Sequence, residues 1–227
     1  MLKAIFFDVG NTLFFYNYEF LRGMLEERFS VDVTAEELEA THQIIRRSMG
    51  PLLDQGLSHE FIVEEAYRHW FRSIGIEDDK ITAIIDAIKN HPFRHLFWAR
   101  MEEGTKELLT WFRDRGFRLG IISNAEGQIK RLIEHAGIES VFEIILDSHE
   151  VGFQKPDERI FRKGLNDLKI EASEAVHVGD IFEADVVGAR AAGITPILVD
   201  PEGRYPKANC ITVRNVNELK ALPIFAK

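Results

Sequence analysis

From Met101 to the end of the chain, segments with helical periodicity alternate with short apolar segments that are typical of buried strands. Strands are predicted over 117–122, 142–146, 175–178, 195–199 and 211–213, and helices over 102–115, 126–136, 156–168, 183–192 and 216–222. Because successive parallel strands need a crossover helix between them, this alternation predicts an α/β fold. We expect a doubly wound, Rossmann-like parallel sheet with helices on both faces.

One more strand is predicted near the start of the chain, where three apolar residues lead directly into Asp8. The segment 14–98 then shows helical patterns and no convincing strand. Within it, Thr34 and Glu37 have the spacing of a capping box at the start of a helix. We therefore expect two domains, a Rossmann-like core of residues 1–13 and 99–227 and an inserted all-helical cap domain of residues 14–98.

Charge and cysteine usage limit the classes of partner. The formal net charge is -9 over 227 residues, which argues against a nucleic-acid surface because phosphate backbones attract clustered lysine and arginine. Cys210 is the single cysteine, so no internal disulfide can form and a reducing compartment is expected. No apolar run is long enough for a signal peptide or a membrane span. The sequence therefore predicts a cytoplasmic protein, monomeric or homodimeric, with no membrane or nucleic-acid partner.

Polar side chains follow four of the predicted strands, at or just beyond the point where each strand ends. They are Asp8, Ser123, Lys155 and the pair Asp180 and Asp185. In a doubly wound sheet such strand ends meet at one crevice. Carboxylate oxygens suit Mg²⁺, whereas an ammonium, a hydroxyl and backbone N–H groups suit the oxygens of a phosphoryl group. The set indicates phosphoryl transfer in which Asp8 attacks and water hydrolyses the resulting aspartyl-phosphate.

These residues, taken in order, resemble the four motifs of the haloacid dehalogenase-like (HAD) hydrolase superfamily. Asp8 to Thr12 corresponds to the first motif, Ser123 to the second, Lys155 to the third, and Gly179-Asp180 with Asp185 to the fourth. The resemblance covers essentially the whole chain, and the segment 14–98 resembles the helical cap of that superfamily. It implies an enzyme, a Mg²⁺-dependent phosphatase that acts on a small phosphorylated metabolite beneath a closing cap.

The resemblance also implies a role for each site residue. Asp8 is expected to be the nucleophile, with Lys155 and Ser123 as its catalytic partners. The expected Mg²⁺ ligands are Asp8, Asp180 and the backbone carbonyl of Gly10, and Asp185 is either a further ligand or a partner of the ligands. The phosphate is expected to be held by Asn11, Thr12, Ser123, Asn124 and Lys155.

Gly10 departs from the phosphatases of this superfamily. They carry a second aspartate at this position, two residues after the nucleophile, and it protonates the leaving group. General acid–base assistance contributes roughly 10²–10⁴-fold, so its loss predicts slow turnover or a need for good leaving groups. Tyr16, Glu19 and Glu183 are candidate replacements by proximity in sequence, and a cap residue or solvent is the alternative.

Two alternatives to the phosphatase stay open, a metal-independent dehalogenase and a binding module without turnover. Metal-independent dehalogenases of the superfamily also lack the second aspartate, but they lack an acidic fourth motif, which this chain keeps in Asp180 and Asp185. Phosphonate-cleaving members use a cap lysine, and no lysine occurs between Lys3 and Lys80. The remaining hypothesis is a phosphate-ligand or protein-binding module that has lost turnover.

Three other polar residues invite a functional interpretation. Arg46 and Arg47 have the chemistry of a bidentate clamp for a substrate anion, but a solvated helix face is the favoured interpretation. His177 lies within a predicted strand and is interpreted as a packed core histidine and not as a general base.

Overall fold

The computed structural model describes residues 1–42 and 57–226 of the chain. The chain divides into two compact units. The core unit comprises Met1–Phe15 and Arg100–Lys227, and the helical unit comprises Tyr16–Ala99. Arg46 and Arg47 lie outside the described residues, so the favoured interpretation as a solvated helix face and the alternative of a clamp both stay untested.

The helical unit contains helices α1 (Tyr18–Phe29), α2 (described over residues 35–42), α3 (His59–Ser73) and α4 (Asp78–Lys89), followed by a 3₁₀ turn at Arg94–Trp98. The capping box predicted before α2 is present. Glu37 N donates to Thr34 Oγ1 at 3.1 Å, and Thr34 N donates to Glu37 Oε2 at 2.8 Å. The interior of this unit is rich in aromatic side chains, among them Tyr16, Trp70 and Phe71, which are fully buried.

The core unit is built on one parallel sheet of six strands in the order β3-β2-β1-β4-β5-β6. The strands are β1 (Ala4–Phe7), β2 (Arg118–Ser123), β3 (Ile144–Asp147), β4 (Ala175–Gly179), β5 (Thr195–Val199) and β6 (Ile211–Val213). β1 pairs with β2 on one side and β4 on the other, so that Ile5 lies opposite both Leu119 and Val176. The predicted α/β fold with a parallel sheet and helices on both sides is confirmed. The strand order reverses beside β1, where doubly wound sheets bind their ligands.

The strands of the core unit are connected by helices α5 (Thr105–Asp114), α6 (Ile129–Ala136), α7 (Ser148–Val151), α8 (Glu158–Leu168) and α9 (Gly188–Ala191). A π-helical turn at Phe182–Val187 precedes α9, and 3₁₀ turns include Val216–Ala221. Helices α5 and α6 begin later than predicted, because Gly104 and Gly127 just before them have φ values of 84° and 75°, a left-handed conformation outside a right-handed helix. Within the described ranges, no helix is both long enough and apolar enough to cross a membrane.

One apolar cluster of this unit lies between the sheet and α8. Phe6, Ile122 and Phe161 are fully buried there. Gly164 on α8 permits a close approach, since a Cβ at that position would lie 3.1 Å from Ile122 and 3.3 Å from Phe6. Tight packing of this kind fixes β1 and β2, and with them the side chains at their carboxyl ends.

Candidate active site at the carboxyl end of the sheet

Asp8 follows β1 directly and begins a tight turn. Its N–H donates to Val178 O at 2.8 Å, which keeps it in register with β4. The turn closes on the carbonyl of Val9, which accepts from Leu13 N at 3.0 Å and from Phe14 N at 2.9 Å. Asn11 in the turn has a φ of 53°, and asparagine adopts such left-handed conformations more readily than most residues. The turn holds the Asp8 carboxylate at the edge of the sheet, nearly buried.

Lys155 is the cation of this site, and only 2% of its surface is exposed. Its Nζ donates to Asp8 Oδ1 at 2.7 Å and to Asp185 Oδ1 at 2.6 Å. Ser123, the last residue of β2, donates from Oγ to the same Asp8 oxygen at 2.9 Å. The structure therefore brings together four of the predicted site residues from separate parts of the chain.

Asn124 fixes the backbone of Lys155. Its Oδ1 accepts from Lys155 N at 2.7 Å, and its Nδ2 donates to Lys155 O at 2.9 Å. The amide of Asn124 thus links the loop after β2 to the loop that carries the lysine. A side-chain amide has two N–H donors, and the bond to Lys155 O uses one of them.

Asp185 is held by donors on both of its oxygens. Oδ1 accepts from Lys155, and it lies 2.8 Å from His177 Nε2. Oδ2 accepts from Ile181 N at 2.9 Å. The carboxylate packs directly on Gly179, where a Cβ would lie 2.2 Å from Asp185 Cγ. Glycine in the fourth motif is therefore required by the close approach of Asp185.

Burial and charge act against each other in this cluster. Burial raises the pKa of Asp8, and the Lys155 ammonium offsets that rise only in part. Burial alone would lower the pKa of Lys155, but Asp185 and Asp8 outweigh it and hold that pKa above its ordinary value. For Asp185, burial is likewise outweighed, here by Lys155 and His177, and its pKa lies below the usual range. Burial lowers the pKa of His177, so the imidazole is neutral. The site thus contains a protonated lysine beside carboxylates.

Asp8, Asp180 and Asp185 each present a carboxylate oxygen, and these oxygens lie within 4.8 Å of one another. All three residues are buried. Within this group, three carboxylates lie around the single ammonium of Lys155, which contacts Asp8 and Asp185. Oxygen donors are the ligands that Mg²⁺ prefers. The donor set therefore fits a hard divalent cation.

A known protein family matches most of this chain. The family model described as haloacid dehalogenase-like hydrolase matches residues 2–193. The chain belongs to this family. The resemblance seen in the four motifs is thus confirmed, and the protein is a hydrolase.

This HAD-like hydrolase is similar to several known proteins in sequence and in structure. The haloacid dehalogenase-like hydrolase domain-containing protein 3 of Mus musculus is 31% identical over 173 residues, which cover 74% of this chain and 68% of that protein. The glyceraldehyde 3-phosphate phosphatase of Methanothermobacter thermautotrophicus is 28% identical, over 89% of this chain and 87% of that one. The crystal structure of the HAD hydrolase YfnB from Bacillus subtilis, bound to magnesium, has a TM-score of 0.75 at 19% identity and covers 97% of both chains. That likeness establishes the fold.

Two of the candidate proton donors lie in the helical unit of the hydrolase. Tyr16 is fully buried, and its hydroxyl is 2.9 Å from the hydroxyl of Tyr67. Glu19 accepts from Arg22 at 3.0 Å on an exposed helix face. Tyr16 therefore contributes to the aromatic interior of its own unit, and Glu19 to a surface ion pair.

The third candidate, Glu183, lies in the π-helical turn just after Asp180. Its Oε2 atom is buried and has no hydrogen-bond partner among the described residues. Tyr205 is close by, because its ring stacks on that of Phe182 with 5.3 Å between the centroids. Burial raises the pKa of Tyr205, and the charges of Glu183 and Asp180 act in the same direction. Tyr205 was not expected from the sequence, because it is 20 residues beyond Asp185 and follows no motif.

Thr12 and His177 complete the site. Thr12 is 1% exposed, and its hydroxyl has no hydrogen-bond partner among the residues that the structure describes. His177 is fully buried as a core histidine would be, but the sequence did not reveal its contact with Asp185. The available signal was a histidine between two valines in a strand that ends at the fourth motif.

Proposed function

We propose that the hydrolase is a Mg²⁺-dependent phosphatase that acts on a small phosphorylated metabolite through an aspartyl-phosphate at Asp8. The observation that carries this proposal is the buried cluster of three carboxylates around Lys155. Three buried carboxylate oxygens within 4.8 Å of one another favour a divalent cation and, through it, an anionic substrate. Relatives named as phosphatases for glyceraldehyde 3-phosphate and ribulose 1,5-bisphosphate support the same substrate class.

In this mechanism a carboxylate oxygen of Asp8 attacks phosphorus. A bond forms between that oxygen and phosphorus, and the bond from phosphorus to the ester oxygen breaks as the alcohol leaves with a proton. Water then attacks the same phosphorus, releases inorganic phosphate and restores the Asp8 carboxylate. Lys155 and Ser123, which both contact Asp8 Oδ1, orient the nucleophile and face the phosphoryl oxygens.

Asp8, Asp180 and the Gly10 carbonyl would hold the Mg²⁺, with Asp185 beside them. The cation would supply positive charge to the phosphoryl group during its transfer. The Thr12 hydroxyl supports the phosphate-binding role of the turn, because a buried donor without a partner costs free energy until a ligand accepts from it. Asn11 and Asn124 would add donors to the same phosphate.

Gly10 leaves the proton of the leaving group to solvent or to another side chain. Glu183 is the candidate with support in the core unit, because it follows Asp180 and has a buried oxygen with no partner among the described residues. We further propose that the helical unit is the cap that selects the leaving group. A variant that lacks residues 16–99 should keep a folded core and lose selectivity among substrates; an unfolded product would contradict this division.

Carbon–halogen hydrolysis is the second candidate. A 2-haloacid dehalogenase from Pseudomonas syringae has a TM-score of 0.59 at 25% identity and covers 97% of both chains. In that reaction Asp8 would displace halide from carbon without a metal, and a buried acidic trio would have no purpose. The trio therefore favours phosphate hydrolysis.

The test is phosphate release from an aryl phosphate and from glyceraldehyde 3-phosphate, ribulose 1,5-bisphosphate and pyrimidine 5'-nucleotides. Each substrate is assayed with Mg²⁺ and with excess chelator. We expect release that requires Mg²⁺ and is abolished by Asp8→Asn. Asp32→Asn is the matched control, because Asp32 is exposed and the substitution makes the same chemical change.

Other outcomes point to other functions. Halide release from a 2-haloacid that persists in chelator would establish the dehalogenase. Binding of a phosphate mimic with Mg²⁺, without product from any substrate, would establish a binding module. Equal loss of activity in Asp32→Asn would show that the assay reports folding and not the nucleophile.

A further inference from the structure

Asp185 Oδ1 has two neighbours that compete for one carboxylate oxygen. Lys155 Nζ lies 2.6 Å from it, and His177 Nε2 lies 2.8 Å from it. The same Lys155 Nζ also donates to Asp8 Oδ1 at 2.7 Å. His177 is thus joined to the nucleophile through Asp185 and then Lys155.

The surroundings of His177 fix which nitrogen carries the proton. The residue is fully buried on β4, and its ring packs edge-on against Phe161 at a centroid distance of 5.0 Å and an angle of 90°. Nδ1 has no hydrogen-bond partner among the described residues, whereas Nε2 faces a carboxylate oxygen. An N–H at Nε2 can donate to that carboxylate, whereas an N–H at Nδ1 would meet no acceptor among the described residues, so the geometry places a proton at Nε2.

A buried polar atom without a partner is unfavourable, and an apolar side chain would suit the packing against Phe161 better. The histidine therefore contributes something that packing does not require. Its one useful polar contact in the described structure is the bond to Asp185, whose other oxygen is occupied by Ile181 N at 2.9 Å.

We propose that His177 is a positioning residue, which keeps Lys155 shared between Asp185 and Asp8. An oxygen that accepts from two donors divides its negative charge between them and holds each less strongly. Without the imidazole, Asp185 would present its full charge to Lys155 and draw the ammonium away from Asp8. Lys155 would then be displaced from Asp8 Oδ1 and would no longer orient the nucleophile.

Two substitutions separate this role from packing. His177→Gln places an amide N–H near the position of Nε2 and keeps a donor to Asp185. His177→Leu fills a similar volume and removes the donor. If the residue served packing alone, leucine would be tolerated at least as well as glutamine, because Phe161, against which the ring packs, is apolar.

The kinetic part of the test rests on the proposed phosphatase function. We expect His177→Leu to lower kcat about tenfold or more with KM within about threefold, and His177→Gln to stay within about threefold of the parent chain in both constants. Urea midpoints of both variants show that the comparison is made on folded protein. Equal kcat in the leucine variant and the parent would overturn the proposal.

The structural part does not depend on turnover. Crystal structures of the two metal-free variants should retain the contact between Lys155 and Asp8 with glutamine and lose it with leucine. In the parent chain, ¹⁵N spectra of labelled histidine should show a neutral ring protonated at Nε2. Retention of the Lys155 contact in the leucine variant, or a proton at Nδ1, would refute the proposal. A parent chain that releases no phosphate would refute the proposed function, and the crystal structures would still decide the role of His177.

Discussion

Gly179→Ala should damage the site more than its size suggests. A Cβ at this position would lie 2.2 Å from Asp185 Cγ and 2.4 Å and 2.6 Å from its two oxygens. The carboxylate must therefore move, although three donors hold it. Overpacking costs about 1–3 kcal/mol, and the loss of one hydrogen bond to a charged group adds about 1.5–3 kcal/mol. We expect the free energy of unfolding to fall by roughly 3–5 kcal/mol.

The assay is urea unfolding followed by tryptophan fluorescence, with phosphate release measured in parallel. Gly23→Ala is the matched control, because Gly23 lies in α1 and a Cβ there would meet nothing within 4 Å. Alanine in place of a helical glycine should stabilise by about 0.5–1 kcal/mol. If Gly179→Ala lowers the free energy of unfolding by less than about 1 kcal/mol and keeps its activity, the added methyl does not displace the Asp185 carboxylate, and the reasoning is refuted.

Four further predictions concern the charges of the site. Burial raises the pKa of Asp8 above its ordinary 3.8, so between 3.8 and that raised value the folded chain binds more protons and its stability falls as pH rises. In chelator, the urea midpoint of Asp8→Asn should therefore exceed that of the parent chain at neutral pH, and the difference should shrink near pH 4. A difference in midpoint that does not change with pH would contradict this. Lys155→Met should destabilise the metal-free chain by about 3–5 kcal/mol, because it leaves buried carboxylates without their cation; an unchanged urea midpoint would count against the buried pair. Mg²⁺ at 100 times its Kd should stabilise the parent by about 2.7 kcal/mol, and Asp180→Asn should abolish this shift in thermal melts. Gly10→Asp should raise kcat for alkyl phosphates by about 10²-fold and change it less for aryl phosphates, and equal effects on both would show that proton donation is not limiting.

The sheet was predictable because its signals are local. The apolar runs that form the strands, and the helical periodicity of the segments between them, can both be recognised within short stretches of sequence. The strands over 195–199 and 211–213 have the predicted bounds. Helix starts were less predictable. Gly104 and Gly127 take left-handed conformations that delay α5 and α6, and a glycine shows no such preference in sequence.

The meeting of Asp8, Ser123 and Lys155 was also predictable, because carboxyl ends of parallel strands converge. The partners of each side chain were not. Asn124 was expected at the phosphate, and the structure shows its amide bonded to the Lys155 backbone. Such contacts depend on how loops from different strands fold against one another, which no spacing in the chain records.

The site also explains why the core unit keeps buried charges that an apolar interior would replace. Three carboxylates and one ammonium are held almost without exposure to water, and burial disfavours the charged forms of Asp8, Lys155 and Asp185. Replacing a buried ion pair with packed apolar residues often stabilises a protein. An arrangement that fold stability does not require is the kind that functional sites contain. In this hydrolase three carboxylates lie around one ammonium, and a divalent cation would add the positive charge that an anionic substrate needs beside them.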